Sequence, residues 1–281
     1  MYKRIIARLD IKGDNLVKGI HLEGLRVLGK PEEFANYYYE SGADELIFMD
    51  VVASLYNRNS LHDIISKVAK NTFIPLTVGG GIRTVDDIRS VFRSGADKVA
   101  INTAAIANHD FISEAARIFG SSNIVGSIEA IKQSDGSYLA YTDNAREYTG
   151  KEVVNWAKQL ESLGAGEIMI TSVDNEGTGI GYDIELINSV VSNVSIPVIA
   201  NGGPGKLEHF KEVFEKTNTE AIAVASMLHY NDSIKNVNIS EYSKEGNISF
   251  IKSGNKFSKF DTCNIYEIKK LLDKNNIPCR I

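Results

Sequence analysis

Thr77-Val78-Gly79-Gly80-Gly81 and Ile199-Ala200-Asn201-Gly202-Gly203 both end a short apolar run in glycines, and they lie roughly 120 positions apart. Other segments echo at the same spacing. Ser41-Gly42-Ala43-Asp44-Glu45-Leu46-Ile47 answers to Leu163-Gly164-Ala165-Gly166-Glu167-Ile168-Met169, and Asp97–Thr103 answers to Glu220–Ser226. Arg4–Asp10 answers to Asn123–Glu129. A chain that repeats itself once over most of its length predicts two equivalent halves.

Around these echoes, β-branched runs alternate with amphipathic stretches. The runs predict strands over Arg4–Asp10, Glu45–Val51, Ile74–Gly79, Lys98–Asn102, Asn123–Glu129, Glu167–Ser172, Ile196–Ala200 and Glu220–Ala225. Helices are predicted over Pro31–Glu40, Leu61–Lys70, Thr84–Arg93, Asp110–Phe119, Lys151–Leu163, Asp183–Val191 and Lys206–Phe214. Such alternation demands a parallel sheet, because parallel neighbours need a crossover connection. An open, doubly wound sheet would give a similar string. Two four-strand halves closing on each other give instead an α/β fold, a (β/α)8 TIM barrel with a twofold half-barrel repeat. The expected organisation is a single barrel over 1–281, with half-barrels of about 1–120 and 121–230 and an insertion of about 231–262 before the last helix.

Composition narrows the function. The chain has 281 residues, a net charge of −5 and 43% apolar residues. An acidic balance argues against nucleic-acid binding. The first ten residues carry Lys3, Arg4, Arg8 and Asp10, unlike a secretion signal, and no apolar run is long enough to span a bilayer. Two cysteines, Cys263 and Cys279, lack metal-ligand spacing. The expectation is a cytoplasmic protein that binds no nucleic acid, membrane, metal or cofactor.

Barrel enzymes place their chemistry at the carboxyl ends of the strands. The glycine runs fall there, where backbone N–H groups can approach an anion closely. The following strand in each half ends in small residues, Asn102-Thr103 and Ala225-Ser226. One phosphate cup is therefore expected around Gly81, Asn102 and Thr103, and a second around Gly203, Ala225 and Ser226 with Gly177 closing it. A single glycine run is as well explained by a tight turn; two in equivalent places favour the cups. Opposed cups imply a substrate phosphorylated at both ends. Between them Asp10 and Glu129 end the first and fifth strands, placed to act as an acid/base pair. Asp10 shares parity with Ile6 and so points into the lumen. Asp50 reads as a supporting residue, and Thr171 and Asp174 as substrate contacts.

Asp10, Lys18-Gly19, Thr77–Ile82, Ala100–Ala105, Gly164–Ile168 with Thr171–Asp174, and Gly202–Lys206 together resemble the HisF family, the cyclase subunit of imidazole glycerol phosphate synthase. The resemblance runs from the first strand to about Tyr230 and returns in the final helix. It implies a lyase of histidine biosynthesis that uses ammonia from a glutaminase (HisH-like) docked on the N-terminal face of the barrel. A bisphosphorylated aminoimidazole carboxamide nucleotide would be converted to imidazole glycerol phosphate. By that likeness Asp10 and position 129 are the acid/base pair. Lys18 would ride a mobile loop, Ile11–Lys30, which its four glycines would keep flexible. Arg4, Glu45, Lys98 and Glu167, at the strand starts, would form a charged ring gating ammonia.

The chain departs from the family pattern at several positions. Glu129 stands where the family has Asp, Arg8 stands where it has a small residue, normally Cys, and Asn201 and Glu176 are conservative exchanges. A lumen-facing Arg8 needs a partner among Asp10, Glu129 or a substrate anion; pairing with Glu129 would depress that carboxyl's pKa. The insertion carries Phe250, Phe257 and Phe260, which suits a hairpin or covering loop. These departures suit a paralogue delivering ammonia for acetamidino-sugar synthesis in surface glycans; a HisA-like isomerase would share the cups but have no use for the charged floor or a glutaminase.

Overall fold

The computed structural model describes residues 2–53, 61–232 and 260–281. Its centre is a closed parallel barrel. The barrel strands are β1 (Arg4–Lys12), β4 (Glu45–Asp50), β5 (Leu76–Gly79), β6 (Lys98–Ile101), β7 (Ile124–Lys132), β10 (Glu167–Ser172), β11 (Val198–Asn201) and β12 (Ala221–Val224), and β12 pairs with β1 to close the ring. Every predicted strand is found, with ends shifted by a few residues. The sequence period explains the two-layered packing. In β1, Ile5, Ala7, Leu9 and Ile11 face the helices, while Ile6 joins Ile47, Ala100, Val125, Met169, Ile199, Ala221 and Ala223 in the lumen.

Helices cover the outside: α1 (Pro31–Glu40), α2 (His62–Ala69), α3 (Val85–Arg93), α4 (Thr103–Ala107), α5 (Asp110–Phe119), α6 (Val153–Ser162), α7 (Ile184–Val191), α8 (Glu208–Lys216), α9 (Ser226–Asp232) and α10 (Ile265–Lys274). Their starts follow from capping chemistry. Thr84 and Asp87 form a capping box on α3, Asn264 and Glu267 one on α10, and Asp183 caps α7. None of the helices among the described residues is long and apolar enough to cross a membrane.

Two antiparallel hairpins complete the sheet. One, β2 (Asn15–Ile20) with β3 (Glu23–Gly29), folds back on β1; the other, β8 (Tyr138–Thr142) with β9 (Glu147–Glu152), folds back on β7. They follow the first and fifth barrel strands, so the internal repeat extends to these additions. Asp10 sits opposite Val17 in one, and Glu129 sits opposite Tyr141 in the other.

The segment expected to be a flexible loop, Ile11–Lys30, is an ordered hairpin in this state. Leu16, Val17, Val27 and Leu28 are buried, and the ladder satisfies the backbone. Two of its glycines meet geometric needs: Gly13 takes φ 59° at the turn, and Gly29 lies against the Phe34 ring. Most of the expected insertion, 233–259, lies outside the described residues. At its far end Phe260 stacks on Tyr230, centroids 5.7 Å apart.

Candidate active site

At the carboxyl ends of the strands the two glycine turns line two pockets, one in each half, and the two are unequal. Around the first lies a cavity of about 390 Å³ lined by Gly80, Gly81, Asn102, Thr103, Arg8 and Glu129 among others. Gly81, on the wall of this cavity, has φ 70°, a conformation that residues with a side chain resist. Asn102 gives its amide Nδ2 to the Tyr141 carbonyl at 3.1 Å, while its buried Oδ1 has no donor among the described residues. The Thr103 hydroxyl faces the Asp143 carboxylate at 3.5 Å.

The second cup joins Gly177, Gly203, Ala225 and Ser226 with Glu176 and Asn201, yet encloses only about 10 Å³. The first hairpin lies on it. The His21 N–H donates to the Glu176 carbonyl at 2.9 Å, and the His21 ring bonds the Val173 carbonyl at 2.9 Å. A Cβ added at Gly177 would stand 2.6 Å from the Gly19 oxygen, so at this point the two segments approach too closely for any side chain but hydrogen. Gly177→Ala should therefore push the hairpin off the cup. With φ 72° at this position, the change should also cost about 1–3 kcal/mol. Faster proteolytic cleavage within 13–29 would register the release; an unchanged rate would mean the contact does not hold the hairpin down.

Lys18, expected on a mobile loop, lies on β2 of the hairpin and is fully buried in this state. Its ammonium bridges Asp10 at 3.1 Å and Glu176 in a closer contact. Arg8 completes the cluster, its Nε donating to Asp10 Oδ1 at 2.8 Å. Arg8 thus takes Asp10 as its partner and not Glu129. These four charges balance, which their burial requires. Burial alone would raise the Asp10 carboxyl, but Arg8 and Lys18 hold it well below the carboxylate range. Asp10 points into the lumen as its parity requires. It is sealed there, 2% exposed.

Glu129 has the opposite environment. It lines the first cavity, and its Oε2 accepts the Ala145 N–H at 2.7 Å. Burial pushes its carboxyl up to about 7, against the opposing influence of the Ala145 hydrogen bond and of Arg8. The expected depression by Arg8 is outweighed. Two carboxylates with pKa values driven apart are the pattern of an acid/base site.

The remaining predicted residues are placed as follows. Asp50 lines the first cavity and caps the Val52 N–H at 3.1 Å. Thr171 is buried and accepts from Asn201 at 3.0 Å, and Asp174 accepts the Lys132 N–H at 2.8 Å. At the floor, Arg4 bonds Glu45 and Glu167, and Lys98 bonds Glu45 at 3.1 Å and Glu167 at 3.0 Å. The four form a closed ring of alternating charge. Among the described residues no group of three or more His, Cys, Asp and Glu could hold a metal.

Sequence reasoning missed the β8–β9 hairpin and its tip, Asp143-Asn144-Ala145, which roofs the first cavity through Asp143 and Asn144. The signal was legible: an Asp-Asn pair, a strong turn former, between the alternating residues of 138–142 and 147–152. It also missed Arg83, which lines the first cavity, and the tie between Glu176 and Lys18.

A family model described as "Histidine biosynthesis protein" matches residues 4–234. Among curated relatives, imidazole glycerol phosphate synthase subunit HisF of Legionella pneumophila is 61% identical over 207 residues, 74% of this chain and 98% of that protein. The HisF subunit of Hydrogenobaculum sp. (strain Y04AAS1) is 48% identical over 246 residues, covering 88% of this chain and 97% of the relative. The HisF subunit of Lactococcus lactis subsp. cremoris (strain MG1363) is 42% identical over 280 residues, covering 99% and 96% respectively. With the closed barrel and its twofold pattern of sites, these matches mean that the chain belongs to the HisF family, the cyclase subunits of imidazole glycerol phosphate synthase in histidine biosynthesis.

Proposed function

We propose that the chain closes the imidazole ring of imidazole glycerol phosphate from ammonia and an aminoimidazole carboxamide nucleotide phosphorylated at both ends, with the first cup as the entry point. The observation that carries this reading is Glu129 lining the same cavity as Gly81, Asn102 and Thr103. One phosphate held there by backbone N–H groups and the Thr103 hydroxyl brings the reacting carbons beside a carboxyl poised near neutrality. The far phosphate belongs to Gly177, Gly203, Ala225 and Ser226, with Lys18 as its cation. Reaching that cup requires the first hairpin to lift and Lys18 to exchange Glu176 for phosphate. Glu129 serves as the proton donor. Asp10, permanently ionised, fixes Arg8 and Lys18. Purified chain supplied with ammonium salt and the bisphosphate should form imidazole glycerol phosphate; a well-folded sample without turnover would refute the reading.

The ammonia comes from a glutaminase partner of the HisH type, docked on the N-terminal face. Arg4, Glu45, Lys98 and Glu167 stand at that end of the lumen, and Tyr2 and Phe73, 68% and 79% exposed, precede barrel strands on the same side. Lys98→Met removes half of the ring's positive charge and leaves Glu45 and Glu167 to Arg4 alone. The expected result, read in the complex, is a lowered ratio of glutamine-driven to ammonium-driven turnover. An unchanged ratio would remove the gating role.

The sealed Asp10 and the closed second cup favour one further reading, delivery of ammonia to a sugar acceptor held by another enzyme for acetamidino-sugar synthesis. That role has no use for Glu129 as a proton donor, which separates the two.

A further inference from the structure

The roof of the first cavity is built from backbone that ordinarily resists its shape. Asp143, Asn144 and Ala145 have φ values of 54°, 58° and 63°, three successive left-handed residues with no glycine among them. Each such residue costs about 1 kcal/mol or more, and strain of this kind persists only where surrounding contacts impose it. Those contacts can be named. The Asn144 amide donates to the Val51 carbonyl, anchoring the tip to the end of β4 across the cavity. Tyr141, just before the tip, accepts from Asn102, and Asp143 meets Thr103. The strained turn then presents the Ala145 N–H to Glu129 Oε2 at 2.7 Å.

We infer that the tip of the β8–β9 hairpin is a positioning device for Glu129, with Asn144 as its anchor: it fixes one carboxyl oxygen, so that the other carries the exchangeable proton. Ala145 occupies Oε2 as an N–H donor, and a proton on that oxygen would face a second hydrogen. The proton therefore belongs on Oε1. The Asn102 side chain also hydrogen-bonds this carboxyl and, like the Ala145 N–H, favours its ionised form. The arrangement also joins the proton to the first cup, because Asn102 serves both. The charged groups facing Glu129 are Arg8 from β1 and Asp143 from the tip itself, with Asp50 on the cavity wall; β10 brings the Thr171 hydroxyl and β6 the Asn102 amide. The tip's further effect is to exclude water. Its release removes the Ala145 hydrogen bond, which favours the carboxylate, but also the enclosing wall and Asp143, which disfavour it; burial is the largest of these influences, so the net shift is downward.

This inference deepens the reading of Glu129 as proton donor, and its test is independent of turnover. Asn144→Gly removes the anchor while easing the left-handed backbone, so the fold is retained. Infrared titration of protein carrying ¹³C-labelled glutamate would follow the carboxyl band that Glu129→Gln abolishes. The midpoint should lie at about 7 in the parent and fall by about one pH unit or more in Asn144→Gly. In ammonium-driven turnover the same variant should lose more rate at pH 8 than at pH 5, with the falling limb displaced to lower pH. A midpoint unmoved by Asn144→Gly, or a loss of rate equal at every pH, would overturn the inference. If the parent titrates as stated but turns over no bisphosphate, the cyclase reading fails and the positioning of Glu129 stands.

Discussion

Asp10→Asn should lower the thermal midpoint by roughly 10 °C, the equivalent of about 3–5 kcal/mol for removing one partner of a buried ion cluster. The reason is charge balance: Arg8 and Lys18 face Asp10 and Glu176 in a site from which water is excluded, and Lys18 is 1% exposed. Without Asp10, two cations share one carboxylate. The parent's stability should also respond to acid. Asp10 is held below its ordinary 3.8, so its contribution is complete above that value and is lost as pH falls through the lower folded-state value. The variant lacks this term and should be less acid-sensitive below about pH 4. Pairing the change with Arg8→Met restores neutrality and should recover most of the loss, measurable as a coupling in a double-mutant cycle. Denaturation midpoints that barely differ between parent and Asp10→Asn would contradict the role of Asp10 as the cluster's anchor.

The second large effect belongs to Glu129→Gln, for which ammonium-driven turnover should fall by about 10²–10⁴-fold. Glutamine keeps the shape and can still accept the Ala145 N–H, but it has no proton to give. Stability should move the other way. The Glu129 carboxyl is raised from 4.5 to about 7, so its folded-state advantage is present below 4.5 and disappears as pH rises through 7. Relative to the parent, the amide should therefore become more stabilising across that window. The parent's kcat/KM should fall above pH 7 as the donor loses its proton. If the protein only delivers ammonia to another enzyme's acceptor, Glu129→Gln leaves the delivered flux intact. That single comparison separates the two readings.

The hairpins explain why part of the site escaped prediction. Each glycine between 11 and 30 reads equally well as freedom or as a close contact, and only the neighbour decides. For Gly19 the neighbour is the Glu23 backbone across the hairpin and Gly177 in the second cup. Arg8 shows the same limit: parity directs it to the lumen, but its choice of Asp10 over Glu129 depends on which carboxylate Lys18 also reaches.

Sequence alone determined the eight parallel strands, their twofold repeat, the lumen-facing parity of Asp10 and the two glycine cups, because periodicity and backbone conformation are local properties. The charged floor came from the family resemblance together with parity. Tertiary structure alone decided that one pocket is open while the other is covered, that Asp10 is buried between Arg8 and Lys18, and that burial raises the Glu129 carboxyl. Those outcomes depend on how much water surrounds each charge, and water is excluded by segments distant in the chain.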